Sequence, residues 1–201
     1  MKHINMIIGI HFNLSCYGHW QPNDPRGSGS RYVWSKQLYV VGGKATKTDS
    51  RRSVAHAPHD VCLRLQIKRA LKHPPVSFSA PQIETVGTAW GTLLRDQNIA
   101  VFACTVVPDH AHLLLSCPDI HVDEVALLLK KTAVAALLQN GQHPRSEAAD
   151  YTQPLTAAAS VWSIGYWKVF IDTPDQMQAT IRYIENHRSA QHWSFVVPYI
   201  Q

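Results

Sequence analysis

The chain has 201 residues, enough for one compact domain with a real core and too many for a mini-fold that needs a metal staple. Apolar residues make up 45% of it, yet no run approaches the roughly 18 uninterrupted apolar residues of a spanning helix, so no membrane partner is expected. Nineteen Lys and Arg against fourteen Asp and Glu give a net charge of +5, which permits a polyanionic partner without requiring one.

Residues 4–14 are rich in Ile and predict a first strand; His11 and Asn13 follow the apolar run with no small-residue cleavage site, which argues against a secretory leader. Residues 17–31 carry too many Pro and Gly for regular structure and predict a long loop. A second polar stretch, 42–58, holds Lys44, Lys47, Arg51 and Arg52 without apolar periodicity, and reads as a disordered surface segment or a nucleic-acid-facing excursion. Helical spacing starts near His59 with Val61, Leu65 and Leu71 and stops at Pro74 and Pro75. A short extended piece at 76–79 follows. Pro81 then suits the first turn of a helix reaching about residue 96, with Ile83, Val86, Trp90 and Leu94 on its apolar stripe.

Residues 99–107 and 111–117 predict two strands joined at Pro108 and Asp109. Asp123 and Glu124 fit the first turn of a helix that runs to about 139, where carboxylates complement the helix dipole. After a polar stretch at 140–160, residues 162–171 predict a strand. Thr173, Pro174 and Gln176 then form a cap, first-turn proline and capping-box signature for a last helix to about 188. The order predicts an α+β fold, a ferredoxin-like split βαβ (RRM-like) antiparallel sheet with helices on one face, a C-terminal helix, and the other face open for a site. One domain, 1–201, with excursions at 17–31, 42–58 and 140–160, is expected.

Four cysteines without a Cys-x-x-Cys pair argue against a zinc ribbon or a disulfide framework and favour a reducing, cytoplasmic compartment. Twelve histidines are the more informative count, because imidazole is both a metal ligand and a near-neutral proton carrier. His110 and His112 are two apart in a predicted strand and so share one face, while Ala111, Leu113 and Leu115 face the other. Two imidazoles on one face make half of a divalent-metal site.

The segment Val107-Pro108-Asp109-His110-Ala111-His112-Leu113-Leu114-Leu115 resembles the histidine-hydrophobic-histidine (HUH) motif of single-tyrosine transposases of the insertion sequence 200/605 type, and especially of REP-associated tyrosine transposases. Segments 16–27, 161–170 and 181–186 agree with that family in order and approximate spacing. The resemblance implies that Tyr183 is the nucleophile. Helical geometry agrees, setting Met177, Ile181 and Ile184 on the buried stripe and Thr180, Tyr183 and His187 on its flank. It also implies a metal, Mg2+ or Mn2+, on His110, His112 and a third ligand one turn beyond the tyrosine. His187 stands there, with Asn186 as the alternative, where many relatives have an Asn-Pro pair. Asp109 reads as a turn residue rather than a ligand.

The implied activity is metal-dependent nicking and joining of single-stranded DNA bearing a hairpin or palindromic repeat, through a 5′-phosphotyrosine, by a homodimer. Arg26, Arg31, Lys130, Lys131, Lys168, Arg182 and Arg188 are candidate phosphate contacts, and Trp20, Trp34 and Trp167 candidate stacking partners for unpaired bases. A non-catalytic nucleic-acid-binding module would leave the conjunction of His110, His112 and Tyr183 unexplained. A metal phosphodiesterase that uses water would make Tyr183 dispensable.

Overall fold

The computed structural model describes residues 6–48, 53–117, 121–145, 161–187 and 192–196, and these gather into two compact units. Residues 16–76 form one unit, lying in sequence between the first strand and the remainder. The larger unit, residues 1–15 and 77–201, contains β1 (Gly9–Ser15), α3 (Ala80–Asp96), β2 (Val101–Val107), β3 (His110–Leu115), α4 (Val122–Gln139), β4 (Trp167–Ile171), α5 (Pro174–Asn186) and β5 (Trp193–Val196). The inserted unit contains α1 (Lys36–Gly42) and α2 (Val61–Arg69). No helix among the described residues is long and apolar enough to cross a membrane.

The fold is α+β. Five strands run in the order β4-β1-β3-β2-β5, and every neighbouring pair is antiparallel. β1 and β2 are thereby parallel with β3 between them, and β3 and β4 are parallel with β1 between them. Each parallel pair is spanned by a helix, α3 or α4, so two crossover units are interleaved.

One face of this sheet is a dry core. Ile10, Phe12 and Leu14 of β1 stand opposite Leu115, Leu113 and Ala111 of β3, and all six are buried. α3 lies on this face, as Gly87 shows: a Cβ there would collide with the ring of Trp193, whose strand partner Val106 is itself paired with Ala111. The Trp90 indole N–H donates to the Leu129 carbonyl at 2.7 Å and ties α3 to α4. The other face is not left open. Met177, Ile181 and Ile184 of α5 are buried there in one cluster with Ala103, Leu114 and Ile171, so α5 covers part of the face expected to be free.

One boundary and one cap differ from expectation for physical reasons. The strand expected at 162–171 begins only at Trp167. Trp162 is instead a core plug, stacked on Trp90 at 5.5 Å, and the carbonyls of Ser163, Ile164 and Gly165 all accept from Lys130 Nζ at 2.8–3.1 Å rather than from a neighbouring strand. Thr173 Oγ1 does cap α5 by accepting from the Gln176 N–H at 3.3 Å, but Gln176 Oε1 accepts from the Asp172 N–H, so the expected box closes one residue early.

Within the inserted unit, the expected loop at 17–31 is ordered by its own polar groups. Asp24 receives a two-pronged bond from Arg26 at 2.7 and 2.8 Å, and the buried Asn23 Nδ2 donates to the Leu38 carbonyl at 2.7 Å and so holds α1. Gly42 is required where α1 meets α2, because a Cβ there would lie 2.6 Å from Ile67 Cδ1. The rest of the 42–58 stretch includes a parallel bridge, Ser28 to Lys47. Most of 140–160 lies outside the described residues.

Candidate metal and tyrosine site

The face carrying α5 also carries the histidines. Alternation along β3 sends His110, His112 and Leu114 to this side, and the register sets Asn13 and then Trp167 beside His112 on one flank and Thr105 on the other. α5 is anchored by its apolar stripe on Leu114, which brings the exposed flank of the helix over the histidine pair. Its last turn ends at His187, whose carbonyl accepts from Thr105 Oγ1 at 3.5 Å.

His110, His112 and His187 converge: one ring nitrogen of each lies within 4.8 Å of the others. His110 Nε2 and His187 Nε2 are 2.6 Å apart, within hydrogen-bonding distance. The ring of Tyr183 packs against His112 at 5.2 Å and His187 at 5.4 Å between centroids, with the phenol 41% exposed. Burial holds that phenol above its ordinary pKa of 10, so it is protonated at neutral pH. His110, His112, His187 and Tyr183, expected together from the sequence, are together within a single chain.

Two neighbours were not foreseen. Asp109 Oδ1 sits 2.7 Å from His110 Nδ1, the carboxylate–imidazole contact that orients a metal-ligating histidine and selects its other nitrogen for the metal. His11, from β1, is buried and places Nε2 3.1 Å from His112 Nδ1. Burial, then the nearby His187 charge, lowers its pKa to about 4, so it is neutral at physiological pH. An imidazole inside the apolar run 7–14 was the available signal, but pairing it with His112 requires the strand register. His112 is itself buried rather than turned outward to solvent, because α5 and His11 enclose it.

The three imidazoles fit a divalent cation in number, and an all-nitrogen set favours a first-row transition ion over Mg2+, whose ligands are oxygens. His187 stands in the cluster beside the two strand histidines.

The candidate DNA contacts have varied settings. Trp167 is 46% exposed on the histidine face and meets His11 edge-on at 5.8 Å. Arg31, Lys131 and Arg182 are exposed. Lys168 Nζ is bonded to Asp123 at 2.6 Å, and Lys130 is spent on the three carbonyls, its pKa lowered to about 8 by burial. In the inserted unit, Arg26 is committed to Asp24 and lies 3.8 Å over the Trp20 ring, whose N–H donates to the Gly27 carbonyl. Trp34 there is 90% exposed and packs on Tyr32. Arg188 lies outside the described residues.

A sheet of interleaved crossovers carries a histidine pair on β3 with a tyrosine of α5 packed against it, and comparison with known proteins gives the chain a family. The family model described as "Transposase IS200 like" matches residues 77–187, more than half of the chain, including both strand histidines, Tyr183 and His187. The chain belongs to the IS200-like transposase family. It is similar to the solved structure of a REP-associated tyrosine transposase bound to a REP hairpin, at 12% identity and a TM-score of 0.44 over 92% of this chain and 68% of that one. It is also similar to a candidate transposase from Deinococcus radiodurans R1, at 15% identity and a TM-score of 0.39 over 94% and 97% of the two chains. No curated protein matches it.

Proposed function

We propose that this chain nicks and rejoins single-stranded DNA at hairpin or palindromic ends, with Tyr183 as nucleophile and a divalent cation held by His110, His112 and His187. The observation that carries the reading is the packing of the Tyr183 phenol against two of three mutually adjacent imidazoles on one sheet face. The interleaved strand order supports the ferredoxin-like assignment. When bound, the cation supplies Lewis-acid withdrawal of charge from the phosphate oxygens.

The chain's own groups do the rest. The Tyr183 oxygen attacks phosphorus in line, the P–O3′ bond breaks, the leaving 3′ oxygen takes a proton, and the phenolic proton is lost before or during attack. The products are a 5′-phosphotyrosine and a free 3′-hydroxyl. Reversal by another 3′-hydroxyl rejoins the strand without a nucleotide cofactor. Trp167, beside the histidines, is placed to stack on a base next to the scissile phosphate, and Arg182, one residue before the nucleophile, to meet the backbone. The exposed Tyr32 and Trp34 with Arg31 suit unpaired bases in the same way.

The test uses a 3′-end-labelled single-stranded oligonucleotide carrying a hairpin, incubated with the protein and Mn2+ and run under denaturing conditions. Label migrating with the protein supports the reading. Cleavage without a protein-linked product points to a water-using phosphodiesterase, and binding without cleavage to a non-catalytic module.

A further inference from the structure

We propose that His11 is a positioning residue of the metal site, the hydrogen-bond acceptor that fixes His112 in the tautomer able to bind a cation. The inference rests on the metal reading above and deepens it by naming a residue that neither the histidine motif nor the tyrosine helix contains.

A neutral imidazole carries one N–H and one lone pair, and the contact between His11 Nε2 and His112 Nδ1 at 3.1 Å can be made with either polarity. If His11 donates, the His112 lone pair is used at Nδ1 and its proton sits on Nε2, which cannot then hold a metal. If His112 donates from Nδ1, its Nε2 lone pair is left for a cation. Only the second polarity makes a ligand. It requires His11 to carry its own proton on Nδ1 and to accept through Nε2.

The surroundings favour a fixed partner over a passing one. His11 is 6% exposed and His112 2%, so solvent cannot take over the bond cheaply. The His11 ring is also wedged by Trp167 at 5.8 Å and Tyr183 at 6.1 Å, both edge-on, and tilts 40° to His112 at 5.1 Å. β1 pairs with β3 from Ile10 to Ser15 against Leu115 to His110, so the backbone gives His11 no room to shift. Asp109 has the corresponding place beside His110 Nδ1 at 2.7 Å, so two of the three imidazoles have their outer nitrogen held by a named side chain.

The prediction concerns affinity for the metal alone, without DNA or turnover. Mn2+ binding to the full chain, read by electron paramagnetic resonance of free Mn2+, is expected to weaken about 10–100-fold in His11→Leu and to recover substantially in His11→Gln, whose amide oxygen can accept from His112. His11→Leu affinity equal to wild type, or a Gln variant as weak as the Leu variant, overturns the proposal while leaving the metal site standing. No Mn2+ binding by the wild-type chain defeats the metal reading and this proposal with it, whereas loss of Mn2+ binding in His110→Ala with retention in His11→Leu defeats this proposal alone. Should the Leu variant fail to fold, long-range proton–nitrogen correlation spectra of the Zn2+-loaded wild type decide the matter. His112 with its proton on Nδ1 and His11 with a bare Nε2 is the expected result; a proton on His11 Nε2 overturns it.

Discussion

Tyr183→Phe removes one oxygen from a ring that is 41% exposed, so the variant should fold with a stability change within about 0.5 kcal/mol and retain DNA binding. Covalent adduct with the labelled oligonucleotide should vanish; adduct at the wild-type level would transfer the nucleophile to another tyrosine. Because burial holds the phenol above its ordinary pKa, the wild-type adduct rate should climb as pH rises from neutral toward that raised value, as initial rates under single-turnover conditions can report. The two strand histidines should differ. His110→Ala and His112→Ala both abolish metal-supported cleavage, and EDTA does the same to the wild type, but only the buried His112 should also cost stability, about 1–3 kcal/mol, by opening space and orphaning His11. Urea unfolding of the pair measures this. The motif residues were legible because the His-x-His segment and the later tyrosine resemble a known family's pattern, and strand and helix spacing agree with it. His11 and Asp109 were not, since their roles depend on which atom of a neighbour they meet.

At the scale of elements, α5 is the piece that turns a sheet into a site, and its stripe of Met177, Ile181 and Ile184 was readable from helical period and capping residues. β5 and α1 were harder. β5 offers four residues in which Trp193 and Phe195 alternate with Ser194, too short a trace to separate from a tail. α1 depends on Asn23, fifteen residues from the carbonyl it holds. The Pro- and Gly-rich segment ahead of α1 reads as open loop for the same reason, since its order comes from Asp24 and Arg26 bonded to each other. Burial raises the Asp24 pKa, but the hydrogen bonds and charge of Arg26 outweigh it and leave the carboxyl below its ordinary value. A depressed folded pKa contributes stability above the unfolded value near 3.8, and that contribution disappears as pH falls through the folded value. The urea midpoint should therefore drop more between about pH 5 and pH 2 in the wild type than in Asp24→Asn, and equal slopes would remove Asp24 from the acid limb.

For the whole molecule, the question is whose tyrosine serves whose histidines. α5 follows β4 after only Asp172 and Thr173, and its buried stripe closes on the sheet of its own chain, which sets Tyr183 at 5.2 Å from His112 of the same subunit. An exchange of α5 between two copies would form the same contacts in a C₂ dimer, but it would need the short connection to open and span to the neighbour. In the homodimer that the family resemblance implies, we therefore expect each site to be complete within one subunit. Tyr183→Phe chains lack the nucleophile, and chains carrying His110→Ala with His112→Ala lack the metal. Mixed after subunit exchange verified by native mass spectrometry, they should stay inactive at every ratio. Cleavage restored to a fraction of wild type in the mixture would instead show that the helix serves the partner's histidines, because only a heterodimer with exchanged helices contains one intact set. Light scattering at the assay concentration tests the dimer separately: a monomer mass with full adduct formation would leave the single-chain site standing and remove the dimer from the mechanism.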